Sequence, residues 1–401
     1  LAQPAEAWSL VREPAAGLPA SFDEGSRTAL RDQCARAVEE DVRPQFARLL
    51  AFVRDKGIPA ARPRERAGIA ALPGGLETYA RQIRIHTSLP LSAEEIHATG
   101  LAEVAKIDAE MEALGARALG EKDGAAVRAR LRGDPTLHFT TRAEVEAKAV
   151  EALARAEAAV PKWIGRLPVA PCVVKRIEAH EEEFSTIAYY RQPATDASRP
   201  GSYYINTFAP HTRPRYEAEA LAFHEAVPGH HTQIALAQEM AGVPEFRRHT
   251  GPTSYIEGWA LYTERLCDEM GLYGGDIDRI GMLSFDAWRA CRLVVDTGLH
   301  ALGWSRTRAI DFMVDHTALA RNNIENEVDR YIGWPGQATA YKTGQLEILR
   351  LRGEAEARQG AAFDIRRFHD AVLGHGAVGL ETLRAIVEDV DAGRTYDEDA
   401  R

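Results

Sequence analysis

The sequence predicts a mainly α-helical chain carrying one small antiparallel β-sheet. Two Ser/Thr-x-x-Glu capping boxes, Ser92–Glu95 and Thr141–Glu144, each open a long run of apolar residues at helical spacing. Strand-like texture, with β-branched and aromatic residues in short runs, is confined to 172–208. No internal repeat or low-complexity linker divides the remainder, so residues 1–20 are expected to form an extended lead-in and 21–401 a single helical domain.

The first 20 residues are rich in Ala and Pro and read as extended. From 24 to 55, Leu30, Cys34, Ala37 and Val38, then Val42, Phe46, Leu49 and Phe52, recur at steps that predict helix. Ile58-Pro59 and Arg62-Pro63-Arg64 interrupt regular structure, and Pro73-Gly74-Gly75 precedes a short helix with Tyr79 and Ile83. The Ser92 box starts an amphipathic helix ending near Leu114, with Ile96, Leu101, Val104, Ile107 and Met111 on one side. The Thr141 box starts another, ending near Val160 and rich in the strong helix formers Ala and Glu. Runs 172–177, 185–190 and 203–208 predict strands, the last set off by Ser198-Arg199-Pro200-Gly201. Residues 216–238 read as the next helix, and the rest as helices separated by loops near 242–253, 271–275 and 331–344.

With 401 residues the chain can bury a substantial core. A formal net charge of −10, with basic residues interleaved among acidic ones, argues against a nucleic-acid surface, which needs clustered Lys and Arg. No apolar run is long enough to cross a bilayer. Cys34, Cys172, Cys267 and Cys291 are too scattered for a thiolate zinc site and read as buried thiols, with a Cys267–Cys291 pair as the alternative in an oxidising compartment.

The chemistry concentrates in His224-Glu225-Ala226-Val227-Pro228-Gly229-His230-His231 and in Glu257 of Tyr255-Ile256-Glu257-Gly258-Trp259. Two imidazoles and a carboxylate are the ligand set of a hydrolytic zinc site, and a Glu beside the first His can take a proton from water. The usual signature places its histidines four positions apart. Here position 228 is Pro, and the second ligand is His230 or His231. On an ideal helix His230 would point about 120° away from His224, and His231 would lie roughly 10 Å along the axis. Pro228 lacks an N–H and crowds the carbonyl of residue 224, while Gly229 tolerates unusual backbone angles. A local widening over 226–229 is therefore expected to return His230 to the metal. His231 then contacts substrate or orients a ligand, and Glu264, on the same helix face as Glu257 and Leu261, orients a histidine. A bare helix end with neighbouring histidines is the competing reading.

Those two runs, with Leu72-Pro73-Gly74-Gly75, Ser92–Leu101 and Arg330-Tyr331-Ile332-Gly333-Trp334-Pro335-Gly336-Gln337-Ala338, resemble blocks of the bacterial family called domain of unknown function 885. That family is similar in fold to the carboxypeptidase Taq family. The resemblance implies a large helical zincin-like metallopeptidase fold with the small sheet at the active-site cleft. It also implies an exported protein, periplasmic or secreted, with a further N-terminal part ahead of this chain; a cytoplasmic location is the alternative. The enlarged His spacing is the departure from the carboxypeptidase pattern.

In the similar carboxypeptidases a Tyr-bearing loop faces the metal, which makes Tyr331 and Tyr341 candidate oxyanion donors, against plain aromatic packing. Arg292 is a candidate for a peptide's C-terminal carboxylate, with a helix-surface salt bridge as the competing role. Asn206, on a strand expected at the sheet edge, is a candidate contact for substrate backbone, against a strand-end turn. The expectation is a zinc-dependent, carboxypeptidase-like hydrolase. His224, His230 and Glu257 hold one Zn²⁺ or another divalent transition metal, and Glu225 is the general base. The partner is a peptide or small amide substrate, with no nucleic acid, no membrane span and a homodimer as the candidate assembly. Hydrolysis of a non-peptide amide or ester, or a catalytically silent metal-binding scaffold, are the alternatives.

Overall fold

A computed structural model of the chain describes residues 1–196 and 198–393; 394–401, the end of the expected domain, lie outside the described residues. The chain divides into two compact units, Leu1–Pro63 and Arg64–Arg401, and not at residue 20. The first unit is helical almost from its start, which corrects the extended lead-in. After a 3-10 turn at Ala5–Ala7 come α1 (Ser9–Ala16), α2 (Glu24–Ala37) and α3 (Arg43–Phe52). π-Helical segments at Val38–Val42 and Val53–Gly57 follow α2 and α3. Ala5 and Val11 bury against Val38, with Trp8 and Cys34 packed beside them. That small apolar cluster orders a segment whose Pro content argued for extension.

In the second unit, α4 (Gly75–Thr87), α5 (Ala93–Ala118), α6 (Gly124–Gly133) and α7 (Arg142–Ala159) precede the sheet. Both predicted capping boxes form, Ser92 with Glu95 and Thr141 with Glu144. The sheet has β1 (Cys172–Arg176), β2 (Ala188–Arg191) and β3 (Gly201–Ile205) in the order β1-β3-β2. β1 runs parallel to β3 from Cys172↔Gly201, and β2 antiparallel from Ala188↔Ile205. The sheet is therefore mixed, not antiparallel, and β3 is its centre. Four of the five β3 residues are buried, as a strand flanked on both sides requires.

After the sheet come α8 (Ala218–Glu225), α9 (His230–Gln238), α10 (Thr253–Glu269), α11 (Asp276–His300) and α12 (Arg306–His316). α13 (Arg321–Gly333), α14 (Ala340–Gln359), α15 (Ile365–Leu373) and α16 (Leu380–Asp391) follow. α11 packs along α5, and α10 along α14. A Cβ on Gly258 of α10 would fall 2.5 Å from Gly344 Cα of α14, so these helices meet backbone to backbone immediately beside Glu257. Phe223, Ala226, Trp259, Tyr262 and Leu351 share one apolar core. Among the described residues no helix is long and apolar enough to cross a membrane. All four cysteines are free, so Cys267 and Cys291 do not pair.

Candidate metal centre

Helix α8 carries His224 and Glu225 on its last turn and then stops. Ala226 leaves helical space at ψ −115°, Gly229 does so at ψ −128°, and the Val227–Pro228 peptide is cis. The widening expected within one helix is instead a complete break, and α9 starts at His230. Pro228 has no N–H to extend α8. Its carbonyl accepts the Trp259 indole N–H at 2.9 Å, and the Ala226 carbonyl accepts the His231 amide at 3.1 Å. A Cβ at Gly229 would fall 1.9 Å from the His224 carbonyl oxygen, a space only glycine leaves open. The break, and not helical phase, decides where His230 points.

His224 Nε2 and His230 Nε2 each lie 3.6 Å from Glu257 Oε2. The two imidazole centroids are 4.8 Å apart with their planes at 85°. All three ligand atoms fall within 4.8 Å of one another. Neighbouring ligands on a tetrahedral zinc with ~2.05 Å bonds sit about 3.4 Å apart, close to the 3.6 Å between Glu257 and each histidine, while the histidine pair lies within 4.8 Å. Glu264 Oε1 accepts from His224 Nδ1 at 2.8 Å, which leaves Nε2, facing Glu257, as the nitrogen available to a cation.

The electrostatics agree with that geometry. Burial pushes the His224 imidazolium down, but hydrogen bonds to Glu257 and Glu264 outweigh it and raise its pKa to about 9. Burial likewise works against the Glu257 carboxylate, and His224 and His230 reverse this, holding its carboxyl well below the usual range. Glu225, Glu257 and Glu264 thus surround two imidazoles with negative charge. Glu225 is half-buried and makes no hydrogen bond among the described residues. Its charge adds to burial in pushing the Tyr203 phenol far up. The Glu257 side chain remains 22% exposed, so water reaches the cluster. His230 Nδ1 and Glu264 Oε2 are buried without a partner, which leaves the centre unused hydrogen-bonding capacity.

The other candidates are engaged elsewhere. His231 is buried; its Nε2–H donates to the Ala170 carbonyl at 3.0 Å and its Nδ1 accepts the Tyr190 hydroxyl at 2.9 Å. These bonds fasten α9 to the sheet, and burial pushes the His231 pKa down to about 4. Asn206 follows the central strand, not an edge. Its amide donates to the carbonyls of Glu182 at 2.7 Å and Thr186 at 3.0 Å, and its oxygen accepts Phe208 N–H at 3.0 Å, so it closes the strand-end turn.

Arg292 does not lie on the helix surface. It is buried between the Trp288 and Tyr341 rings, each 4.4 Å away, and pairs with Glu327 at 2.9 Å. The Tyr331 hydroxyl donates to Glu327 at 2.6 Å and accepts from Arg292 at 3.0 Å and Trp288 at 3.2 Å, so it is not free to serve an oxyanion. The Tyr341 hydroxyl accepts from Gln337 at 3.3 Å. Among the described residues, no hydrogen bond or ring contact joins Tyr331, Tyr341, Arg292 or Asn206 to His224, His230 or Glu257. Trp259 and Tyr190 position the centre's helices and were not singled out from sequence. The signal for Trp259 is an indole next to a candidate ligand, since a buried indole N–H needs an acceptor.

Fold and site define a class: a mainly helical protein with a small mixed sheet, in which a broken His-Glu helix and a following Glu-bearing helix assemble a set able to hold a metal ion. The chain belongs to the bacterial family of proteins of unknown function DUF885, which matches residues 1–387. It is similar to a "putative lipoprotein" of Colwellia psychrerythraea, at 33% identity over 98% of this chain and 68% of that one, with a TM-score of 0.90. A protein of Shewanella oneidensis described as a lipoprotein of unknown function shares the fold at 20% identity, over 96% of this chain and 70% of that one, with a TM-score of 0.73. None of the curated proteins matches.

Proposed function

We propose that this protein is a zinc-dependent metallopeptidase with carboxypeptidase-like action. The observation that carries this reading is the convergence of His224, His230 and Glu257 within 4.8 Å, with Glu225 next to the first of them. Those three residues would hold Zn²⁺ or another divalent transition metal. What such an ion supplies there is Lewis acidity, which acidifies water and polarises a carbonyl. Glu225 takes a proton from the attacking water on its carboxylate and returns it to the amine nitrogen as the C–N bond breaks. Glu264 holds the His224 ring in orientation, and the Pro228-Gly229 break aims His230. The zincin-like fold and the preference for a free C-terminus rest on the resemblance to the carboxypeptidase Taq family. The relatives described as lipoproteins support export.

Metal analysis combined with a screen of peptides bearing free or amidated C-termini tests the reading. One zinc per chain with turnover restricted to free C-termini supports it. Turnover of amides or esters but not peptides moves the assignment to a non-peptide hydrolase. A protein that takes up no metal and turns over nothing overturns it.

A further inference from the structure

A cavity of about 330 Å³ opens in the second unit among residues 185–187, residues 212–217 and helices α11 and α13. That volume lies at the lower end of the roughly 300–1,000 Å³ range of small-molecule sites. Ile187, Phe285, Trp288 and Leu319 give it an apolar wall, and Arg132 and Arg213 give it charge. Arg213 Nε donates to the Phe208 carbonyl at 3.3 Å, and Arg132 Nη1 donates to the carbonyls of Val314 at 3.1 Å and Thr317 at 2.8 Å. Among the described residues neither guanidinium forms a hydrogen bond or salt bridge with a carboxylate; Asp315 acts on Arg132 at longer range, and burial pushes both pKa values below the usual one.

Two carboxylates also line the cavity, but neither cancels these cations. Glu327 is already matched by Arg292 at 2.9 Å and Arg330 at 3.0 Å. Glu217 accepts the Ser284 hydroxyl at 3.0 Å, and burial pushes its pKa up to about 7, so it holds only part of a charge at neutral pH. Two guanidinium groups with no carboxylate bonded to them, beside an aromatic wall, describe an amphipathic anion.

We propose that this cavity binds a small organic carboxylate with an apolar or aromatic body, its carboxylate met by Arg132 and Arg213 and its body by Phe285 and Trp288. Glu217 precedes His224 by seven residues, about 10 Å along a helix, and the inference does not depend on the proposed hydrolysis. A bare phosphate would leave the apolar wall unused.

Isothermal titration of the full chain with 3-phenylpropionate, its neutral isostere 3-phenylpropionamide and inorganic phosphate tests this. Saturable binding of the acid is expected, with the amide and phosphate weaker by about tenfold or more. Arg213→Gln and Arg132→Gln should each weaken the acid by a similar factor, and Arg213→Lys, which keeps the charge, should lose less. Failure of the native protein to bind the acid, equal binding of acid and amide, or preference for phosphate would each overturn the proposal. The comparison of ligands on the native protein decides the matter even where a variant does not fold.

Discussion

Replacing Glu264 probes the candidate metal centre without removing a proposed ligand. Its side chain is 1% exposed, Oε1 lies 2.8 Å from His224 Nδ1, and Oε2 has no partner. Glu264→Gln keeps an oxygen that can accept the Nδ1–H but removes the charge. Glu264→Leu removes both and leaves that N–H buried without an acceptor. A carboxylate supporting a ligating histidine is worth about 10- to 100-fold in metal affinity, or about 1.4–2.8 kcal/mol. A hydrogen bond to a charged group contributes ~1.5–3 kcal/mol, the same range. Glu264→Gln should therefore fall near the lower end and Glu264→Leu near the upper. Zinc competition against a chromophoric chelator measures both, with far-UV circular dichroism to verify folding and Glu225→Gln as a charge-matched control expected to bind normally. Native affinity in a folded Glu264→Leu protein would refute the orienting role. An equal drop in Glu264→Gln and Glu225→Gln would attribute the effect to the charge of the cleft as a whole.

Glu225→Gln should keep its metal and lose turnover by about 10²- to 10⁴-fold; undiminished turnover removes Glu225 as the base. His230→Ala should lose zinc, whereas His231→Ala should keep it and lose about 1–3 kcal/mol of stability, because the Tyr190 hydroxyl and Ala170 carbonyl forfeit their partner; metal analysis and urea melts separate the two. Glu217 has a folded pKa of about 7 against an ordinary 4.5, so the folded state holds the proton more tightly. Stability is then highest below the ordinary value and declines as pH rises through the folded one, by up to about 3 kcal/mol. Glu217→Gln should flatten that decline and melt in more urea than the native protein at pH 8; a lower midpoint there contradicts the assignment.

The parts legible in the sequence were those governed by short-range physics. Ser92 and Thr141 announced their helices because a capping box closes within four residues. His224, His230 and Glu257 were legible as a candidate ligand set through residue chemistry, and the fold brings their ligand atoms within 4.8 Å of one another; Pro228-Gly229 marked the place of the distortion. Its extent was not legible, because the break is held by Trp259, 31 positions beyond Pro228. Strand order was hidden by the long connections 177–187 and 192–200, which do not impose hairpins and let β3 enter between β1 and β2. Val11 shows why composition misled at the N-terminus, since its burial against Val38 depends on a contact across α2. Arg292 reads in sequence as a candidate for a peptide carboxylate or a surface salt bridge and Tyr331 as an oxyanion donor or packing residue; neither reading includes Glu327, although it stands one helical turn before Tyr331 on α13.

Placing the imidazoles on either side of a chain break has a mechanical result. In an unbroken helix an ion would grip one rod already rigid; here His224 lies on the last turn of α8, His230 begins α9 and Glu257 belongs to α10, so an ion between them would rivet three rods. α9 is in turn tied through His231 to Tyr190 on β2, a strand paired on one side only. Loading the centre would therefore stiffen a path from α8 to the open border of the sheet, and amide exchange along α9 would slow while the α5–α11 pair stayed unchanged.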